Sequence, residues 1–213
     1  MTIVRKFGGR LLLVREGKVG ETCSMTIHLI WSTLFWAWIA TEAMVALFTR
    51  THGDEGDVQD RGSLLVLWAV IFGAMFGGSW VGAVYQPAMF QAGHWLRYVC
   101  LGLLALGLVI RWMAIYTLGK SFSANVAIHA TQTLNVSGLF QWMRHPSYAG
   151  MMLIFLAMGL NTHNWLGLAM IVLLPAAALL YRMHVEEAAL TGAFGAEYVA
   201  YSERVKRLIP GIY

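Results

Sequence analysis

The chain has 213 residues, of which 58% are apolar and 12% charged, against about 25% charged in an ordinary soluble domain. That balance excludes a disordered chain, which would be poor in apolar residues and rich in charge, and it excludes an ordinary water-soluble enzyme. The net charge of +4 implies no nucleic-acid partner, because Lys and Arg beside apolar spans set orientation or meet anionic headgroups.

Residues 1–24 form a basic segment (Arg5, Lys6, Arg10, Arg15, Lys18). Its apolar run, Leu11–Val14, is too short for a signal-peptide core. A bilayer interior of ~30 Å needs about 20 apolar residues per crossing helix. Met25–Phe48 and Ser63–Tyr85 meet that requirement, so residues 25–85 hold the first two transmembrane helices. The loop between them, Arg50–Gly62, is acidic (Asp54, Glu55, Asp57, Asp60) and reads as solvated. A third span follows at Trp95–Leu118. Glu42 in the first span and Arg111 in the third are either buried partners or snorkelling side chains, and snorkelling is the reading favoured for Arg111. Cys23 and Cys100 lie far apart and build neither a disulfide framework nor a zinc site.

Gly119–Met143 breaks the apolar pattern. Long loops in compact domains are usually functional or disordered, and the interspersed Phe122, Val126, Ile128, Leu134, Leu139, Phe140 and Trp142 argue that this one packs on the protein. A ligand cradle and a headgroup-level connector both fit. Next comes Arg144-His145-Pro146-Ser147-Tyr148-Ala149-Gly150. Pro146 pushes His145 towards an extended backbone and starts a helix, which sets His145 and Ser147 at a helix N-terminus, where free N–H groups favour anionic or polar ligands.

Tyr148–Leu160 then forms a short helix that turns at Asn161–Asn164 into Trp165–Tyr181. The pair reads as a helical hairpin, whose turn can lie within the membrane only if neighbouring protein satisfies its backbone. The final apolar run ends in Tyr181-Arg182-Met183-His184-Val185-Glu186-Glu187. Arg182 and Glu186 share a helix face, and ionisable residues at a membrane boundary mark a site or anchor a helix. The basic, then apolar, tail Glu203–Pro210 reads by itself as a membrane-surface anchor. The fold class is therefore all-α and polytopic, with about five transmembrane helices, the last two a hairpin, in a single domain spanning residues 1–213. Lys and Arg divide six against nine between the two sides, which leaves the orientation open. No His/Cys/Asp/Glu cluster has metal-ligand spacing, and no metal is expected.

Taken in order, Leu118-Gly119, Phe122, Gly138-Leu139-Phe140, the Arg144–Gly150 run, Asn164-Trp165, Arg182, Glu186-Glu187, Leu190, Phe194-Gly195, Glu197-Tyr198, Tyr201 and Arg207-Leu208-Ile209-Pro210 resemble the isoprenylcysteine carboxyl methyltransferase family, over about residues 110–213. The related phospholipid methyltransferases share the Arg-His-Pro and Glu-Glu elements. The resemblance implies an integral membrane methyltransferase core at 95–213, with S-adenosylmethionine in a cytosol-facing pocket made of the loop, the hairpin and the C-terminal segment. A lipidic or prenylated small-molecule substrate would enter from the bilayer.

By the same resemblance, His129, Gln132, Thr133, Leu134, Asn135, Phe140, His145, Pro146, Ser147, Tyr148, Glu186 and Glu187 would bind the cofactor. Arg182 would bind the substrate, and Arg182 with Glu186 would be catalytic. Phe140 stands where the family usually has Tyr, Gln132 where His is common and Asn135 where Val is common. A carboxylate acceptor is already ionised near neutral pH and needs a cation to hold it, which suits a guanidinium. An amine or thiol acceptor would instead need a base, and Glu187 or His184 is available. Phospholipid amine or thiol methylation, or a non-catalytic lipid-binding role, are the rival readings. Oligomeric state is not legible in the residues.

Overall fold

The computed structural model describes residues 25–47, 62, 64–119 and 133–213, together with the backbone alone of 3–7, 10–14, 17–24, 48, 57–58, 63 and 127–128. His129 and Gln132 lie outside the described residues. Two compact units are present, Met1–Ile39 and Ala40–Tyr213. The first holds an antiparallel hairpin of β1 (Ile3–Phe7) and β2 (Arg10–Val14) and the beginning of the long helix α1 (Gly17–Phe48).

The second unit holds the end of α1, then α2 (Ser63–Val84), α3 (Trp95–Leu118), α4 (Pro146–Asn161), α5 (Trp165–Phe194) and α6 (Ala196–Arg204). A two-residue antiparallel pairing joins Asp57–Val58 to Ala127–Ile128, which brings the connections after α1 and after α3 to one end of the bundle. Four helices are long and apolar enough to cross a membrane, and α4 is a shorter apolar helix beside them. Their outward faces carry large apolar side chains such as Phe76, Trp80, Val109 and Leu173. In water such a surface would drive aggregation; against lipid tails it is the ordinary state.

Helix packing within a bilayer relies on close backbone approach rather than on a hydrophobic drive between helices. Two glycine contacts provide it here. A Cβ at Gly107 of α3 would sit 2.6 Å from the Gly150 carbonyl of α4, and one at Gly167 of α5 would sit 2.8 Å from the Gly78 carbonyl of α2. Leu104, Ile154, Phe155, Ile171 and Leu179 fill the interior between these crossings.

The α4–α5 hairpin turns through His163, whose φ is +52°. Asn164, fully buried, caps α5 by accepting from the Leu166 and Gly167 amides at 2.9 and 3.1 Å. Its amide donates to the Tyr85 carbonyl at 2.8 Å, and the Phe90 amide donates to the His163 carbonyl at 2.9 Å. The turn's backbone is thus satisfied by neighbouring protein, the condition for a turn at membrane depth.

Arg111 departs from the snorkelling reading. Its guanidinium is buried, donates to Glu42 Oε2 at 2.6 Å with a second contact to Oε1, and donates to Ser147 Oγ at 2.7 Å. The reason is its helix face. Gly107, Arg111 and Ala114 share the buried side of α3, and Gly150 packs directly against the Arg111 backbone, so the side chain points into protein rather than along the lipid surface.

Candidate active site

The apolar run of α5 ends near Tyr181, yet the helix continues to Phe194. At 1.5 Å per residue, about 20 residues of α5 use up the ~30 Å hydrocarbon thickness, so Arg182, Glu186 and Glu187 sit at its edge on an unbroken helix. Opposite them, α4 begins at Pro146 with His145 as its N-cap residue. The proline has no N–H to lose at this position, and the His145 carbonyl accepts the Tyr148 and Ala149 amides, both at 3.1 Å. The hairpin therefore sets the starts of α4 and the late turns of α5 side by side.

Side chains complete the connection. The Tyr148 hydroxyl donates to Glu186 Oε2 at 2.9 Å and also bonds Arg182, so it lies between the two. His145 stacks on Tyr148 with ring centroids 5.5 Å apart. Its Nε2 lies 3.1 Å from Glu187 Oε1 and its Nδ1 3.8 Å from Glu186 Oε2. A carboxylate only accepts, so Nε2 carries the hydrogen.

Glu187 is the hub of a second set of bonds. Arg207 donates to it from Nη2 at 2.7 Å and from Nε to both oxygens at 3.1 Å, and Arg144 Nη2 reaches it at 3.2 Å. The tail runs parallel to the segment before α4, with Arg144 N donating to Lys206 O at 2.8 Å and His145 N to Arg207 O at 2.9 Å. Arg207 also covers the Tyr213 ring at 5.6 Å, and its bond to Glu187 strengthens its hold on the proton. The tail read from sequence as a surface anchor is instead fastened to the site by Arg207.

A cleft of about 90 Å³ opens beside this network. Its apolar wall is Leu118, Leu134, Phe140, Leu190 and Phe194; its polar wall is Thr133, Asn135, Arg144, His145 and Glu186, with Tyr198 and Tyr201 closing it from α6. The loop before α4 is held by Asn135, which donates to the Thr117 carbonyl at 2.9 Å and accepts from the Ser137 amide at 2.9 Å. Tyr201 donates to the Phe140 carbonyl at 2.7 Å, and burial pushes its hydroxyl pKa up to about 12.

Of the residues expected to bind cofactor, Thr133, Leu134, Asn135, Phe140, His145 and Glu186 line the cleft. Pro146 is buried at the start of α4. Ser147 turns to Arg111, Tyr148 stands behind Glu186, and Glu187 is occupied by Arg144, His145 and Arg207. Arg144, Tyr198 and Tyr201 were not singled out as site residues in the sequence. Arg144 entered only as part of the Arg144–Gly150 run, and Tyr198 and Tyr201 only as part of the family resemblance. Among the described residues no group of three or more His, Cys, Asp or Glu could hold a metal ion.

Residues 100–192 match the isoprenylcysteine carboxyl methyltransferase (ICMT) family. The chain is 31% identical over 139 residues to protein-S-isoprenylcysteine O-methyltransferase of Tribolium castaneum, covering 63% of this chain and 50% of that protein. It is 35% identical over 112 residues to the Saccharomyces cerevisiae protein of that name, covering 52% of this chain and 47% of that one. The solved structure of the eukaryotic intramembrane Ras methyltransferase ICMT superposes with a TM-score of 0.58 at 28% identity, over 68% of this chain and 52% of that one. The chain spans about half the length of these relatives. The shared fold and the apolar helices make it an integral, multi-pass membrane protein. Its matched stretch contains α4 and the Arg182–Glu187 turns of α5 that build the cleft, and over that stretch the chain is similar to the isoprenylcysteine carboxyl methyltransferase family.

Proposed function

We propose that the protein is an S-adenosylmethionine-dependent methyltransferase that esterifies the carboxylate of an isoprenylcysteine or a similar small lipidic acid, with its cleft facing the cytoplasm. The observation that carries this reading is the pairing of a polar, partly open cleft with a buried guanidinium at the edge of the apolar helices. The cleft's composition fits the cofactor. Its apolar wall suits a nucleoside, and Glu186, half-buried with its side chain 34% exposed, suits a positive group. Ligand pockets for molecules of that size start at about 300 Å³, so binding has to widen the cleft.

The bound cofactor would supply an electrophilic methyl on a sulfonium; everything else falls to the chain. Glu186 would attract the positive end electrostatically, most effectively where water is scarce. Arg182 would hold the acceptor carboxylate, which guanidinium grips bidentately. Tyr148, bonded to both Arg182 and Glu186, would fix the distance between the two binding groups. Because the acceptor is already ionised, no base is required, and catalysis reduces largely to holding donor and nucleophile in line.

The test is transfer of a labelled methyl group from S-adenosylmethionine to N-acetyl-S-farnesylcysteine by the purified protein in lipid nanodiscs. A base-labile, volatile methyl ester is the expected product. Label that stays base-stable on an amine or thiol acceptor, with none on the farnesylcysteine, would replace the carboxylate with the rival acceptor class.

A further inference from the structure

Two donors in the cleft wall have no partner among the described residues. The Tyr198 hydroxyl and Arg144 Nε are both buried without a hydrogen-bond acceptor, and both residues line the cleft. Unpaired buried donors are uncommon and costly. Tyr198 is only 3% exposed, and burial, followed by the Glu187 charge, raises its hydroxyl pKa, so at neutral pH it keeps the hydrogen it can donate.

The remaining bonds explain why these donors stay free. Arg144 spends Nη2 on Glu187 at 3.2 Å and Nη1 on the Ser202 carbonyl at 3.3 Å, which fixes the guanidinium plane and leaves Nε over. Tyr201, the other α6 tyrosine of the cleft, already donates to the Phe140 carbonyl. Nearby acceptors are also engaged: Glu187 by Arg144, His145 and Arg207 and Glu186 by Tyr148. The cleft lining therefore combines one carboxylate, Glu186, with two free donors, Arg144 Nε and the Tyr198 hydroxyl, and with apolar residues alongside.

We infer that Arg144 Nε and the Tyr198 hydroxyl form a carboxylate subsite that receives the amino-acid carboxylate of the methyl donor, while Glu186 faces its positive groups. This rests on the methyltransferase reading above and deepens it. The subsite orients a zwitterionic ligand by offering free donors to its carboxylate and the Glu186 carboxylate to its positive groups. It also discriminates, because a ligand that lacks the carboxylate leaves both donors unsatisfied.

Titration calorimetry with the full chain in nanodiscs, without acceptor, tests it using two ligands: S-adenosylmethionine and decarboxylated S-adenosylmethionine, which keeps the sulfonium and amine but lacks the carboxylate. The wild type should bind the first about tenfold or more tightly than the second, as expected for a hydrogen bond to a charged group. Tyr198→Phe removes only the unpartnered hydroxyl and should erase most of that preference by weakening S-adenosylmethionine alone. Arg144→Lys keeps a cation opposite Glu187, loses Nε, and should act in the same direction. Equal weakening of both ligands, or an unchanged preference, overturns the subsite and leaves the methyltransferase reading standing. An unchanged preference with a raised KM for the farnesylcysteine acceptor would also overturn it, by giving the donors to the acceptor carboxylate. Failure of the wild type to bind either ligand overturns both claims.

Discussion

The protein buries two clusters of charge, and they are built to opposite ends. In one, Glu42, Arg111 and Ser147 tie α1, α3 and α4 together inside the bundle, with the guanidinium contacting both carboxylate oxygens and the serine hydroxyl. In the other, Arg144, His145, Glu186, Glu187 and Arg207 gather where α4 begins and α5 leaves the apolar layer. The first is closed: its guanidinium and carboxylate answer one another inside the bundle. The second opens onto a cleft, exposes part of Glu186 and retains two unpaired donors. A buried ion pair that is complete serves as a staple. One with donors left over on a cavity wall is equipped to take a ligand.

Breaking the closed cluster should have the largest effect, and on stability. Glu42→Ala leaves a buried guanidinium without its carboxylate, which typically costs about 3–5 kcal/mol, read as a loss of unfolding free energy in detergent. Replacing both partners, Glu42→Leu with Arg111→Met, should recover most of that loss, since well-packed apolar side chains often match a buried pair. A double variant as unstable as the single one would show that the pair does more than staple the helices.

In the open cluster the effect should fall on turnover instead. Arg182→Ala should lower kcat by about 10²–10³-fold, the usual cost of removing one group that stabilises charge in a reaction centre, while cofactor affinity stays nearly intact. A matching fall in cofactor affinity would move Arg182 from the acceptor to the cofactor. The link between the clusters should be the weakest point. Ser147→Ala removes one hydrogen bond to Arg111 and should cost about 1–2 kcal/mol of stability, with kcat hardly changed. A large fall in kcat would show that the staple also positions the start of α4.

How much of this the residues disclosed depends on the range of the interaction. The limits of α3 and the hairpin of α4 and α5 were legible, because they follow from apolar run length and from local signals: Pro146 at a helix start and a polar turn at Asn161–Asn164. The late turns of α5 were legible only as far as the shared helix face of Arg182 and Glu186, since hydropathy reports burial in lipid while the backbone hydrogen bonds carry the helix on to Phe194. Arg111 was misread because its partners lie 69 and 36 residues away, and no periodicity within α3 encodes them. Arg207 was read as a headgroup anchor for the same reason: its partner Glu187 is 20 residues back, on another helix. The site residues that resemblance supplied and the structure gathers, Thr133 to Asn135, Phe140, His145 and Glu186, share one cleft. Tyr198 and Arg144 emerge only when the hydrogen bonds are counted.

The central claim is that the open cluster binds a positively charged methyl donor through Glu186. Direct binding of S-adenosylmethionine to the wild type and to Glu186→Gln, in the same nanodiscs and in the absence of acceptor, measures it. The wild type should bind with a Kd on the order of 1–100 µM, comparable to common KM values, and Glu186→Gln, nearly isosteric but uncharged, should bind about 10–100-fold more weakly. Equal affinity in the two proteins, or no binding by the wild type, would contradict the account.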